Sequence, residues 1–181
     1  MTMERKLQFF EIAGNLPYGL KVIDNRERII YSLLGTEIDT TLCKVLMYGD
    51  TYNHDDDDWW PLSELTPILR PRSDMYRTIT HNGKEIVPIV KLAKIAFGNE
   101  FDFKLFDKNA QFKGNGDNIH FWYSEKFEAF GAFRTKADIH LPIHNQYQLF
   151  DYMNELKIDY RGLIDAGIAI DANTLETNPY K

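Results

Sequence analysis

The chain has 181 residues, 44% of them apolar and 27% charged, a globular composition that excludes a disordered, collagen-like or membrane-embedded polymer. Its net charge of −6 is spread along the sequence, with 10 basic and 14 acidic side chains in residues 1–90 against 11 and 13 in 91–181, so no basic tail or half exists for coating nucleic acid. A chain of this length buries enough surface to need no staple, the lone Cys43 permits no internal disulfide and fits a reducing cytoplasm, and no apolar run approaches the roughly 20 residues of a membrane span.

The first predicted element is a helix over residues 3–13, where Met3, Leu7 and Phe10 share a stripe and Gly14 and Pro17 supply the stop. Residues 19–23 and 28–34 read as two strands joined by the polar turn Asp24-Asn25-Arg26-Glu27. Residues 36–48 lean towards β, which makes the N-terminal third a small antiparallel sheet or partial barrel. Pro61, Pro67 and Pro71 predict an extended or edge-like stretch over 59–72, since proline lacks a ladder donor. Asn82-Gly83 between β-formers predicts a type I′ hairpin. Pro88 then suits the first position of a helix whose stripe, Ile89, Leu92, Ala93 and Ala96, ends at Gly98.

Alternation predicts further strands over 101–105 and 119–123, with a loop at Lys113-Gly114-Asn115-Gly116-Asp117. Residues 124–134 fit two patterns: Phe127, Phe130 and Phe133 make a helical stripe, while Gly131 and the aromatic bias fit a strand. A last helix is predicted over 145–157, with Leu149, Met153 and Leu156 inward, and Gly162 and Gly167 punctuate the tail. The expected fold is α+β: small antiparallel sheets or a partial barrel packed with three to four helices. The expected division is an N-terminal subdomain over 1–98 and a C-terminal one over 99–181, or one continuous domain.

Three stretches share a recognisable order and spacing: Leu16-Pro17-Tyr18-Gly19-Leu20-Lys21, Pro67-Ile68-Leu69-Arg70-Pro71-Arg72-Ser73-Asp74, and the tail from Asp159-Tyr160-Arg161-Gly162-Leu163-Ile164 through Ile168-Ala169-Ile170-Asp171-Ala172-Asn173-Thr174-Leu175. Together they resemble small hypothetical proteins carried by phages and prophages of Bacteroides and its relatives. The pattern covers both ends and much of the middle, and leaves out the aspartate run and residues 101–134. The resemblance implies a phage-encoded cytoplasmic protein and assigns no activity or catalytic residue.

Chemistry-bearing residues concentrate at Tyr52 to Trp60. His54 with Asp55 and Asp57 is the candidate metal set, because a hard cation wants converging carboxylates and an imidazole shifts the choice towards manganese or zinc. Such a site would make a phosphoesterase or nuclease. The competing reading is a solvated loop, since adjacent aspartates from Asp55 to Asp58 point alternately and no EF-hand spacing follows. His140 and His144, with His120 as a third, are separated by Pro142, and on an extended chain their Cα atoms stand about 13 Å apart, too far for one zinc. Cys43 reads as a small buried strand residue, and Gly114-Asn115-Gly116 as a hairpin turn rather than a phosphate loop.

Phe121, Trp122, Tyr123, Phe127, Phe130 and Phe133 lie near Lys104, Lys108, Lys113 and Lys126, a composition that fits core packing first and single-strand stacking second. The leading expectation is a non-enzymatic phage or prophage accessory protein that binds a host or phage macromolecule, a protein first, through Tyr52, His54, Trp59 and Trp60, since adjacent tryptophans on an extended chain cannot both point inward. Nucleic acid and membrane are not expected partners. No cofactor is predicted beyond a divalent metal at His54, Asp55 and Asp57.

Overall fold

The computed structural model describes residues 5–26, 28–38, 43–48, 59–114 and 116–181, without the side chains of 34–38, 43–48 and Trp59. The chain forms two compact units, Met1–Pro71 with Arg161–Pro179 and Arg72–Tyr160 with Tyr180–Lys181. Residue 98, where the sequence reading placed a boundary, ends a helix inside the second unit.

In the first unit, helix α1 covers only Phe9–Ile12 and gives way to a 3-10 turn at Ala13–Tyr18. Gln8 and Glu11 make a reciprocal capping box that starts the helix at Phe9. Arg5 pairs with Glu11 at 2.5 Å from the irregular segment before it. The predicted stripe therefore fails: Phe10 is exposed and Ile12 is buried.

Strands β1 (Lys21–Asp24) and β2 (Ile30–Ile38) pair antiparallel as expected. Their turn is organised by buried Asp24, whose carboxylate accepts from the backbone N–H of Arg26 and Ile29 at 2.8 and 3.3 Å. Strands β3 (Cys43–Tyr48), β4 (Trp59–Pro61) and β5 (Leu65–Leu69) follow. β4 lies at the sheet edge, whereas β5 is internal, flanked by β1 and a strand from the C-terminal tail. Leu20, Val22, Leu33, Leu65 and Leu69 form the core together with Leu163 and Ala169 of that tail.

The second unit opens with a 3-10 turn at Arg72–Tyr76, followed by a two-stranded ribbon, β6 (Ile79–His81) and β7 (Lys84–Ile86). Asn82 and Gly83 join its strands at φ 50° and 70°, the type I′ geometry that Gly83 accommodates without a Cβ clash. Helix α2 (Pro88–Phe97) starts on its proline and stops at Gly98. Five antiparallel strands then form a meander: β8 (Lys104–Phe106), β9 (Asn109–Gly114), β10 (Asp117–Ser124), β11 (Ala129–Arg134) and β12 (Ile139–Leu141). Helix α3 (Gln146–Glu155) follows, close to its predicted span. Ile89, Leu92 and Ala93 of α2 and Leu149 and Met153 of α3 bury Phe103, Phe121 and Phe130 against one sheet face. The chain then returns to the first unit, where β13 (Ile170–Asp171) pairs parallel with β5 through Ile68 and Leu69.

The α+β expectation of small sheets or a partial barrel with three to four helices is thus corrected. The described residues are sheet-rich, in open sheets of six, five and two strands with no closed barrel, and their α-helices span 4, 10 and 10 residues. Two local choices account for the difference. The capping box shortens α1, and residues 124–134 resolve into a turn and β11. A residue three further along a strand lies on its opposite face, so Phe130 enters the core while Phe133 does not.

Phe121 is fully buried and stacks on Phe130 at a centroid distance of 5.5 Å. Phe121→Ala is expected to cost about 3–5 kcal/mol, read as a lower denaturant midpoint for the second unit. Burial, with the nearby Glu128 carboxylate, pushes the Tyr123 phenol up to about 12, and burial with Glu155 does the same for Tyr152. A folded pKa raised above the unfolded value near 10 gives stability that is present below pH 10 and lost as pH rises towards 12. Thermal melts across that window should show the loss, and Tyr123→Phe should reduce it.

Candidate functional site

The period-two geometry of a strand divides the second unit's sheet into two unlike faces. Along β10, Ile119, Phe121 and Tyr123 are buried in the core, while Asn118, His120, Trp122 and Ser124 are half-buried on the opposite face. The register carries that division across the sheet. His120 stands opposite Gln111 of β9 and Phe133 of β11; Gln111 stands opposite Lys104 of β8, and Phe133 opposite His140 of β12. One row of Lys104, Gln111, His120, Phe133 and His140 therefore crosses five strands, about 19 Å at ordinary strand spacing.

Trp122 lies one step along β10, opposite Gly131. A Cβ built at Gly131 would fall 2.8 Å from Cζ2 and 2.9 Å from Cε2 of the indole, so the ring lies across the glycine backbone. Only glycine permits this approach. His140 stands nearly edge-on to Trp122 at 6.2 Å and to Phe133 at 5.3 Å, making one aromatic patch from three strands. Gln111 Nε2 donates to His120 Nε2 at 3.2 Å, which orients the imidazole beside that patch.

Towards β8 the face becomes cationic. Lys113 lies 5.7 Å from the centroid of the Phe106 ring, and Phe106 itself is 55% exposed. Lys104, Phe106, Gln111 and Lys113 line a cleft of about 250 Å³ together with Asp102 and Leu105. Asp102 precedes β8 and sits 3.5 Å from Lys104. Within the five strands, the charged residues on this face are Lys104 and Lys113, and no carboxylate shares it. Asp117, at the start of β10, has the opposite parity. Burial would raise its carboxyl, but the Arg134 hydrogen bond and charge and the backbone N–H groups of Lys136 and Asn118 hold it below the ordinary carboxylate value.

Charge also divides between the two units. The first carries 8 basic and 15 acidic side chains and the second 13 and 12, so the acidic excess belongs to the first unit alone.

The sequence-predicted contact residues fare differently. Tyr52 and His54, and the metal set of His54, Asp55 and Asp57, lie outside the described residues, as do Asp56 and Asp58. Trp59 pairs with Leu46 in the β3–β4 ladder. Trp60 packs against the first core, with the Arg26 guanidinium 5.9 Å from its ring centroid. Cys43 opens β3 opposite Ile38. His120 and His140 flank Phe133 two strand spacings apart, about 10 Å, too far to share one zinc, and His144 is exposed beyond β12. Among the described residues, no three His, Cys, Asp or Glu side chains are grouped to hold a metal.

Sequence reasoning singled out Trp122 and the lysines but missed Phe106, Gln111 and the role of Gly131. The usable signal was a glycine that falls opposite a tryptophan once 129–134 is aligned antiparallel to 119–124. Comparison with protein families, curated proteins and solved structures finds no match to this chain. No helix among the described residues is long and apolar enough to cross a membrane.

Gly131→Val should lift the Trp122 indole off the sheet. The expected cost is about 1–3 kcal/mol of stability, as for overpacking elsewhere. A changed tryptophan emission maximum in the folded protein would report the displaced ring.

Proposed function

We propose that this chain is a non-enzymatic binding module for a macromolecule, and that the face of the second unit's sheet opposite α2 and α3 is its contact surface. One observation carries the reading: that face holds an aromatic patch of Trp122, Phe133 and His140, seated on glycine and flanked by a lysine-lined cleft. A ring fixed flat on a rigid sheet loses little entropy when it meets a ligand, which is why rigid aromatics serve as anchors. The resemblance to proteins carried by phages and prophages supports a role in the cytoplasm of a bacterium that harbours one.

The test is affinity capture of the tagged full chain from bacterial lysate, with and without nuclease, compared with Trp122→Ala and Trp122→Phe. An anchor of this kind contributes about 2 kcal/mol or more, roughly thirtyfold in affinity. The captured species should therefore be depleted by Trp122→Ala and retained by Trp122→Phe, with both variants folded at the assay temperature by circular dichroism. Equal recovery by all three proteins would place the contact surface elsewhere.

A further inference from the structure

The geometry points to single-stranded nucleic acid as the ligand of this face, with bases stacked on Trp122 and Phe133 and the phosphate chain passing over Lys104 and Lys113; the assignment rests on the binding face proposed above. The indole lies across Gly131 and so presents a planar platform. Its counterpart Phe133 is one strand over and two residues back along the ladder, a Cα separation of about 8 Å by strand geometry. His140 stands edge-on to both rings and bounds the platform on the β12 side. Such a surface suits the π-faces of successive bases, which a single strand exposes and a duplex conceals.

The cations stand on the β8–β9 side of the platform, Lys104 with Asp102 3.5 Å away. By the same geometry, the Cα atoms of Lys104 and Lys113 are about 12 and 14 Å from that of Trp122, and each side chain reaches several ångströms further. Charge complementarity decides the ligand class. A neutral glycan would share the stacking but has no use for two lysines on a face whose strands carry no carboxylate. The second unit is itself close to balance, with 13 basic against 12 acidic side chains. Gln111 and His120 lie between Lys104 and Phe133 in the same cross-strand row, and the buried Gln111 amide donates to His120 Nε2 at 3.2 Å, which fixes the imidazole there.

Fluorescence anisotropy of a labelled short oligothymidylate with the full-length protein tests the assignment. Saturable binding is expected at low salt, and it should weaken roughly five- to hundredfold with Trp122→Ala, as for loss of one stacked base. Trp122→Phe should keep most of the affinity. Two phosphate contacts on a single strand predict a slope of about −1.4 in log K against log salt, and Lys104→Gln combined with Lys113→Gln should bring it close to zero. The lysine variants are surface changes, so they test the assignment even if Trp122→Ala loses stability. Absence of saturable binding, a duplex of the same sequence binding as tightly, or a slope indifferent to the lysines would overturn it. A nuclease-resistant protein captured in a Trp122-dependent way, or a neutral oligosaccharide bound in place of the oligonucleotide, would overturn the ligand class and leave the binding face standing.

Discussion

The alternation of side chains along β10, pinned by the burial of Phe121 beneath α2 and α3, is the constraint on which the second unit depends. Ile119, Phe121 and Tyr123 can all be buried only if Asn118, His120, Trp122 and Ser124 face the other way. A slip of one residue would send the tryptophan into the core and a phenylalanine to the surface, at a cost of several kcal/mol for the lost burial. Because β9 and β11 are both registered on β10, the same choice sets the placement of Gln111, Lys113, Gly131 and Phe133. The candidate site is in this sense the reverse side of the core, and its precision comes from core packing rather than from contacts of its own.

Gly131 shows how packing converts into chemistry. A strand interior is a poor place for glycine, which contributes no side chain and loses much backbone entropy on folding. Here the missing Cβ leaves room for the indole to rest on the backbone, and the ring becomes a flat platform instead of a projecting side chain. Lys113 and Phe106 repeat the arrangement on a smaller scale, the ammonium over an exposed ring at the rim of the cleft. The tyrosines of the opposite side are tied to the core instead: Tyr123 donates its hydroxyl hydrogen to the Tyr160 carbonyl at 3.2 Å.

Charge gives a second case in which chain order misleads. Counted by halves of the sequence, the net of −6 divides as −4 and −2. Counted by compact units it is concentrated in the first, because residues 1–71 and 161–179 fold together and the balanced stretch lies between them. Electrostatic attraction acts over roughly a Debye length, about 8–10 Å at moderate salt. For a ligand on the second unit's sheet the nearest charges are the lysines of that face.

Several elements governed by neighbours within one turn were determined by the sequence itself. Asn82-Gly83 specified its hairpin through positive φ, Pro88 and Gly98 bounded α2, and the apolar stripe of α3 located that helix to within two residues at either end. The composition of the aromatic segment was equally plain, as was the alternation over 119–123. Beyond α1, whose Gln8–Glu11 capping box is local but moved its start to Phe9, what the sequence could not determine needs a partner distant along the chain. Whether Phe127, Phe130 and Phe133 lie on a helix or a strand depends on whether β10 is there to pair with, and the parallel addition of β13 to β5 joins residues about a hundred positions apart. The face that carries Trp122 was decided the same way. Burial is a property of the assembled sheet and its two helices, and only their packing makes one side of a symmetric alternation the inside.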